Sequence, residues 1–344
     1  MRYLSRLYHC TQLLVKVQDF FISICIFVIF LTKCFYLRTI FVILTKSSQK
    51  KHGKPFSHVV QFTISYTEMR MIMRLSQKNL YDMHMHSHFS GDSEADSIQL
   101  AQRAIDIGLK GICFTDHLDI DYKETPGLFD LDIPSYKKEI QTIKDTFSNQ
   151  LDIRWGIELG LQPYLVQENS QIIQDNNFDF VIGSTHVVKQ VDIYFPAYYE
   201  NRIEDDCYRE YFEETLKNAK SDVDFDVYGH LDYVVRYGPN KNQFYSYEKF
   251  ADVIDEILRT LIQKGKGIEL NMAGFKYGLG HAHPTVETLK RYKELGGEII
   301  TLGSDGHAPE QIAWDFDKAP DILKEAGFEY FTIFKNRKTS FIKL

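Results

Sequence analysis

From residue 80 onward the chain repeats one unit, a short apolar run rich in β-branched and aromatic residues followed by a longer helical pattern. The runs are "LYDMHMH" (80–86), "GICFTDH" (111–117), "IRWGIEL" (153–159), "FDFVIGSTH" (178–186), "FDVYGHLD" (225–232), "GIELNM" (267–272) and "EIITLGSD" (298–305). Between them lie "SIQLAQRAIDIG" (97–108), "PSYKKEIQTIKDTF" (134–147), "DDCYREYFEETLKNAK" (205–220), "YEKFADVIDEILRTLIQKG" (247–265) and "TVETLKRYKELGG" (285–297). Gly108, Gly265 and Gly296 stand where helices stop, and Pro284 where one starts. Strand and helix in alternation, about seven times, predict an α/β fold with a parallel sheet, either doubly wound or closed into a barrel.

The strand ends decide between these. The first ends with His84 and His86, with His88 and Asp92 just beyond; the second with Asp116 and His117; the third carries Glu158; the fourth ends at His186. The fifth carries His230 and Asp232, and the last ends in "SDGH", with Asp305 and His307. An open sheet would place such residues only near its switch point, whereas a barrel gathers all its C-terminal strand ends on one face. The expectation is a distorted, TIM-like (β/α)7 barrel with a metal site at those ends.

A single histidine at a strand end is most often a hydrogen-bonded structural residue. The pair in "HMH" says more, because alternate residues share one face of a strand and can chelate one ion. Six histidines with Glu158 and Asp305 converging on one mouth would oppose one another's ionisation unless divalent cations sat among them. Imidazole and carboxylate without thiolate point to Zn, Mn or Fe, and about nine ligands suit two or three ions. Cys113 lies inside an apolar run and reads as a buried, inert thiol.

Charge divides the chain. Residues 1–79 hold 12 Lys/Arg against Asp19 and Glu68, a balance of +10, while the remainder balances at −17. An acidic catalytic region argues against a broad nucleic-acid-binding face. The five cysteines (10, 25, 34, 113, 207) form no CxxC pair, so a reducing, cytoplasmic setting is expected rather than a disulfide framework. "FFISICIFVIFLT" (20–32) is uncharged but shorter than the roughly 20 residues of a full span. A membrane anchor through residues 20–44, a cleaved signal, and upstream sequence outside the working protein all compete here. The last is preferred, with 1–78 as an extension and 79–344 as the functional domain.

"HMH" with a following aspartate, "TDH", Glu158 in "GIE", "GSTH", "GHLD" and "SDGH", in this order over roughly 80–340, resemble the polymerase-and-histidinol-phosphatase (PHP) family. "FDLDIPSYKKEI", "YFPAYYENR" and "GHLDYVVRYGP" are similar to its histidinol-phosphatase branch. The resemblance implies a seven-stranded distorted barrel binding three ions. His84, His86, Glu158 and Asp305 would hold the first. Glu158 would bridge to a second, completed by His186 and His230. Asp92, His117 and His307 would hold the third. Some relatives carry histidine where Asp92 stands, which leaves the preferred metal open. On this mapping His88 is no ligand, and Asp116 and Asp232 orient ligands.

The activity so implied is hydrolysis of L-histidinol phosphate to L-histidinol and phosphate, in histidine biosynthesis, by a metal-bridging hydroxide attacking phosphorus in line. Glu158, His186 and Asp116 are the expected catalytic residues, the last as a possible proton carrier. Arg236, Lys276 and Arg202 are candidate cations for the phosphate. The aromatic stretch "VDIYFPAYYE" (191–200) either caps the pocket or packs on the rim. Other PHP activities (nuclease, nucleotide or phosphotyrosine phosphatase) are the alternative, and a non-catalytic metal-binding protein is a third reading. The expected partner is a small phosphorylated substrate, with no nucleic acid; a membrane enters only through the N-terminal run, and a homodimer is compatible with the sequence.

Overall fold

The computed structural model describes residues 79–344 in full and the backbone of 39–47 and 57–65. The chain divides into two compact units, Met1–Ile72 and Met73–Leu344. Within the first, Thr39–Ser47 and Ser57–Ser65 pair antiparallel, Thr39 opposite Ser65. The 20–32 run, Cys10, Cys25 and Cys34 lie outside the described residues, as does most of the 20–44 anchor segment. Among the described residues no helix is long and apolar enough to cross a membrane.

The second unit is the barrel. Its parallel strands are β1 (Tyr81–Asp82), β2 (Gly111–Phe114), β3 (Asp152–Gly160), β4 (Phe180–Ser184), β5 (Val227–Tyr228), β6 (Gly267–Asn271) and β7 (Ile300–Gly303), neighbours in chain order. The seam closes between first and last: Met83 N donates to Leu302 O (2.8 Å), Asp305 N to His84 O (2.9 Å) and His86 N to Gly306 O (2.8 Å). Asp82, fully buried, seals it further by accepting from the backbone N–H of Ser304 and Ala313, each at 2.9 Å. A doubly wound open sheet is therefore excluded. Strands buried on both faces explain the near-continuous apolar runs; β2 and β4 are buried at every residue.

Five helices match the sequence pattern: α1 (Ser97–Ile107), α2 (Ile133–Thr146), α4 (Glu204–Lys220), α5 (Ala251–Gln263) and α6 (Val286–Glu294). Asp96 caps α1 by accepting from Gln99 N at 2.9 Å, and Gly108 ends it at φ 89°, a left-handed position that costs glycine little. On α5, Ile254, Ile257, Leu258 and Leu261 recur at three- and four-residue spacing and are fully buried.

Among the described residues, two helices and a terminal hairpin stand out as elements the sequence pattern does not predict. The helices α3 (Val166–Asp175) and α7 (Ala319–Glu325) bury only two residues each, so their periodicity is faint. The hairpin of β8 (Tyr330–Lys335) and β9 (Lys338–Lys343) turns on Asn336 and Arg337, both at positive φ. That is the tight hairpin geometry usually signalled by Asn-Gly, and arginine in the second place hides it. The hairpin covers the N-terminal end of the barrel. Phe334 stacks on Phe180, Arg154 Nη1 donates to Phe334 O, and Arg337 Nε donates to Asp226 Oδ2 at 2.6 Å. The opposite end is left to the site.

Candidate metal centre

The predicted strand ends do converge. Register puts His117 beside Glu158, through a short Leu118-containing bridge against β3. His230 and Asp305 follow β5 and β7 in turns of positive φ (20° and 51°) that swing their side chains toward the mouth. Glu158, wholly buried, is the hub. Its Oε2 lies 3.0 Å from His84 Nε2, 3.2 Å from His117 Nδ1 and 3.4 Å from His86 Nε2. Its Oε1 lies 2.9 Å from His230 Nε2 and 3.3 Å from His186 Nε2, and accepts from Ser184 Oγ at 2.6 Å.

Of the donor groups around it, three hold the expected ligands, and a further one joins His117 and His186 to Asp119. His84, His86 and Glu158 face one point, with Asp305 Oδ1 3.5 Å from His86 Nε2 and 3.9 Å from His84 Nε2. Glu158, His186 and His230 form a second group. In the third, His86, His117 and His307 cluster, and Asp92 Oδ2 lies 3.1 Å from His307 Nε2 and 3.8 Å from His117 Nε2. All nine residues expected as ligands are thus brought together.

The hydrogen bonds behind the rings fit a metal. His84 Nδ1 is 2.7 Å from Glu269 Oε1, His186 Nδ1 is 2.8 Å from Asp119 Oδ1, and His86 Nδ1 is 3.1 Å from Ser90 Oγ. Spending each Nδ1–H outward leaves the Nε2 lone pair facing the cluster, as a ligating imidazole needs. His84 and His86 turn their Nε2 atoms to each other at 3.0 Å, an arrangement that either a shared proton or a shared cation satisfies. His230 Nδ1 and His117 Nδ1 are buried without a hydrogen-bond partner.

Electrostatics agree. Burial alone would depress the His84 and His186 imidazoles. Glu158 with Glu269 outweighs this for His84, and Asp119 with Glu158 for His186, so both are held well above their ordinary range. His86 goes the other way, driven well down by burial and by the neighbouring His117 and His307 rings. Glu158 and Asp305 resist burial and stay well below the usual carboxylate range because imidazoles surround them. The carboxylates demand positive charge, which divalent cations supply on displacing the imidazole protons.

Above the cluster opens a cavity of about 180 Å³ lined by Asp92, His117, His186, His230, Asp305 and His307 together with Arg236, Tyr233, Tyr237 and Tyr277. Larger clefts exist, such as one of about 410 Å³ beside Lys110, Lys144 and Lys335. It lies at the N-terminal end of the barrel, and none of the nine expected ligands lines it. Arg236 is buried, its guanidinium 4.2 Å from the Tyr277 ring centroid and 4.8 Å from that of Tyr233, and Nη2 lies 3.3 Å from Asp305 Oδ2.

Other candidates fall differently. Lys276 is near the mouth, but its ammonium donates to Asp305 O (2.8 Å) and Gln311 Oε1 (3.0 Å), tying down the ligand loop. Burial lowers its pKa to about 8. Arg202 is not brought to the site: it pairs with Glu210 at 2.7 Å and lies over the Tyr198 ring, because α4 holds Glu210 within its reach. Asp116 is fully buried and does not line the cavity; its carboxylate accepts from Ser87 N, Ser87 Oγ and Ser90 Oγ, the last of which also meets His86 Nδ1. Asp232 binds His283 Nδ1 and Thr285 N, not a ligand. His88 is half-exposed and faces Glu139. Cys113 is fully buried. In the 191–200 stretch, Tyr198 and Tyr199 pack on the rim by donating to Cys207 O and Val234 O, while Tyr194 stands exposed against Tyr237.

Sequence reading missed Glu269, Asp119 and His283. Glu269 is a carboxylate inside an otherwise apolar strand, which is a signal in itself, since a buried acid needs partners. Asp119 lies two residues past His117 and shares its face.

The PHP domain model matches residues 82–273. A histidinol-phosphatase of Lactococcus lactis is 34% identical over 264 residues, covering 75% of this chain and 95% of that one. A probable histidinol-phosphatase of Clostridium acetobutylicum is 31% identical over 257 residues, covering 73% and 95%. The crystal structure of the Lactococcus lactis histidinol phosphate phosphatase, complexed with zinc, L-histidinol and phosphate, superposes with a TM-score of 0.71 at 33% identity. It covers 76% of this chain and 99% of that one. The ordered motifs, the closed barrel and these likenesses agree: the chain belongs to the PHP family, in its histidinol-phosphatase branch.

Proposed function

We propose that the chain hydrolyses L-histidinol phosphate to L-histidinol and inorganic phosphate in histidine biosynthesis, using three divalent ions of which zinc is the first candidate. The observation that carries this reading is a small cavity lined by donors of all three groups together with Arg236. At about 180 Å³ it is smaller than the roughly 300–1,000 Å³ of common ligand pockets, and suits a compact phosphomonoester rather than a nucleic-acid strand.

In this reading His84, His86, Glu158 and Asp305 hold one ion, Glu158, His186 and His230 the next, and Asp92, His117 and His307 the third. When bound, the ions acidify coordinated water and offset the charge on the phosphoryl oxygens. Arg236, which lines the same cavity, binds those oxygens; its Nε is buried without a partner. The Tyr233, Tyr237 and Tyr277 rings fix the guanidinium and give the leaving group an aromatic wall. Overall, water cleaves the P–O bond, the alcohol keeps its oxygen, and phosphate departs. Residues 79–344 are the working domain, with 1–78 an extension. Cytoplasmic residence is the matching proposal, consistent with the two described cysteines, Cys113 and Cys207, both free and buried.

The test is phosphate release by the zinc- or manganese-loaded full chain from histidinol phosphate, nucleoside monophosphates, phosphotyrosine and a single-stranded oligonucleotide. Histidinol phosphate should show the highest kcat/KM by at least about tenfold. Faster turnover of any other member would overturn the assignment.

A further inference from the structure

Glu269 lies in the middle of β6 and is 1% exposed. Three donors converge on it. Oε1 faces His84 Nδ1 at 2.7 Å, while Oε2 accepts from the backbone N–H of His230 at 2.9 Å and from Asn271 Nδ2 at 3.1 Å. Asn271 cannot reverse its amide, because its Oδ1 already accepts from Ala273 N at 3.0 Å. Space has been cleared for the carboxylate: a Cβ on Gly303 would stand 2.0 Å from Glu269 Oε1. His84 belongs to one donor group and His230 to another, and these groups otherwise share only Glu158.

We infer that Glu269 is a positioning residue that braces two ion sites at once, setting the imidazole tautomer of His84 and the backbone turn that presents His230. The inference rests on the metal-centre reading above. Only an acceptor at both oxygens can do this, and an ionised carboxylate is one. An amide of the same shape cannot. With its oxygen toward His84, its NH2 meets the His230 N–H and the Asn271 amide, donor against donor. Turned over, it donates to His84 Nδ1 and drives the ring proton to Nε2, the atom that faces Glu158. Either way one of the two sites loses its ligand geometry, and Glu158, which faces both His84 and His230, couples the disturbance to the other.

The test reads metal rather than turnover. Apo Glu269→Gln, shown to be folded by circular dichroism and melting, is titrated with Zn2+ against a chromophoric chelator, and with Co2+ followed by its visible spectrum. Two ions should weaken by about 10- to 100-fold, the range known for lost outer partners of metal ligands, with the Co2+ bands of those sites altered and the third ion unchanged. All ions retained within twofold, with an unchanged Co2+ spectrum, would overturn it, as would an equal loss at every site. Asn271→Ala, which removes one of the three anchors and leaves both histidine contacts, should weaken the same two ions by a few-fold. It decides the matter should the glutamine variant not fold, and no shift in its ion affinities would then refute the brace. Because substrate is absent, a wrong substrate assignment leaves this result untouched.

Discussion

Arg236 offers the sharpest test of how substrate is held. A guanidinium has five N–H donors, and among the described residues that of Arg236 donates to Asp305 Oδ2 alone. The guanidinium lies against three tyrosine rings and is buried, so little freedom is lost when phosphate arrives. A hydrogen bond to a charged group contributes about 1.5–3 kcal/mol, and a forked pair to two phosphoryl oxygens roughly twice that. Arg236→Met should therefore lower kcat/KM for histidinol phosphate by about 4 kcal/mol, or about a thousandfold. Arg236→Lys keeps the charge but not the fork, and should lose about 10- to 100-fold. The assay is steady-state phosphate release, with bound zinc and melting temperature measured in parallel so that lost metal is not mistaken for lost contact. A fully metallated Arg236→Met enzyme within threefold of wild type would refute the assignment of the phosphate to this wall.

Glu158→Gln should abolish turnover, below about one part in a thousand, and lower the bound-metal count, because the hub carboxylate serves two donor groups; elemental analysis of the purified variant checks it. Ser90→Ala removes a hydroxyl bonded to His86 Nδ1, Asp116 Oδ1 and His117 N. It should cost about 1–3 kcal/mol by denaturant melt and weaken metal by about tenfold. Asp255, at the barrel exterior, pairs with Arg291 and Arg259, and the Arg291 hydrogen bonds pull its pKa down to about 2. Its folded-state pKa is depressed, so its stabilisation is present above the unfolded value near 4 and is lost as pH falls toward 2. Asp255→Asn should thus be less stable by about 1–2 kcal/mol at pH 7, with the gap closing between pH 4 and 2 in paired urea melts. A constant gap across that window would contradict the ion-pair account.

Much of this architecture can be read without coordinates, because barrel strands are short, apolar and punctuated by glycine, and because function sits where they end. The six strand-end histidines report the mouth for that reason. What escapes the sequence is everything set by approach from another strand. Asp82 looks like a polar residue in a strand, yet it closes the seam by binding backbone two hundred residues away. Asp232 resembles a ligand partner by its place in "GHLD", but the backbone turn at His230 sends it to His283 instead. Arg202 has the right charge in a family-like stretch, and only the helix carrying Glu210 shows it to be occupied. The Asn336–Arg337 hairpin is invisible because its turn lacks the expected glycine.

In the proposed function, this cluster holds the ions that drive hydrolysis of histidinol phosphate. Chelator-stripped full chain, titrated with Zn2+ while bound zinc and phosphate release are followed together, tests it most directly. The stripped protein should be inactive, and activity should return as the bound ions approach three per chain. Undiminished hydrolysis by metal-free protein, or full zinc binding without hydrolysis of histidinol phosphate, would contradict it.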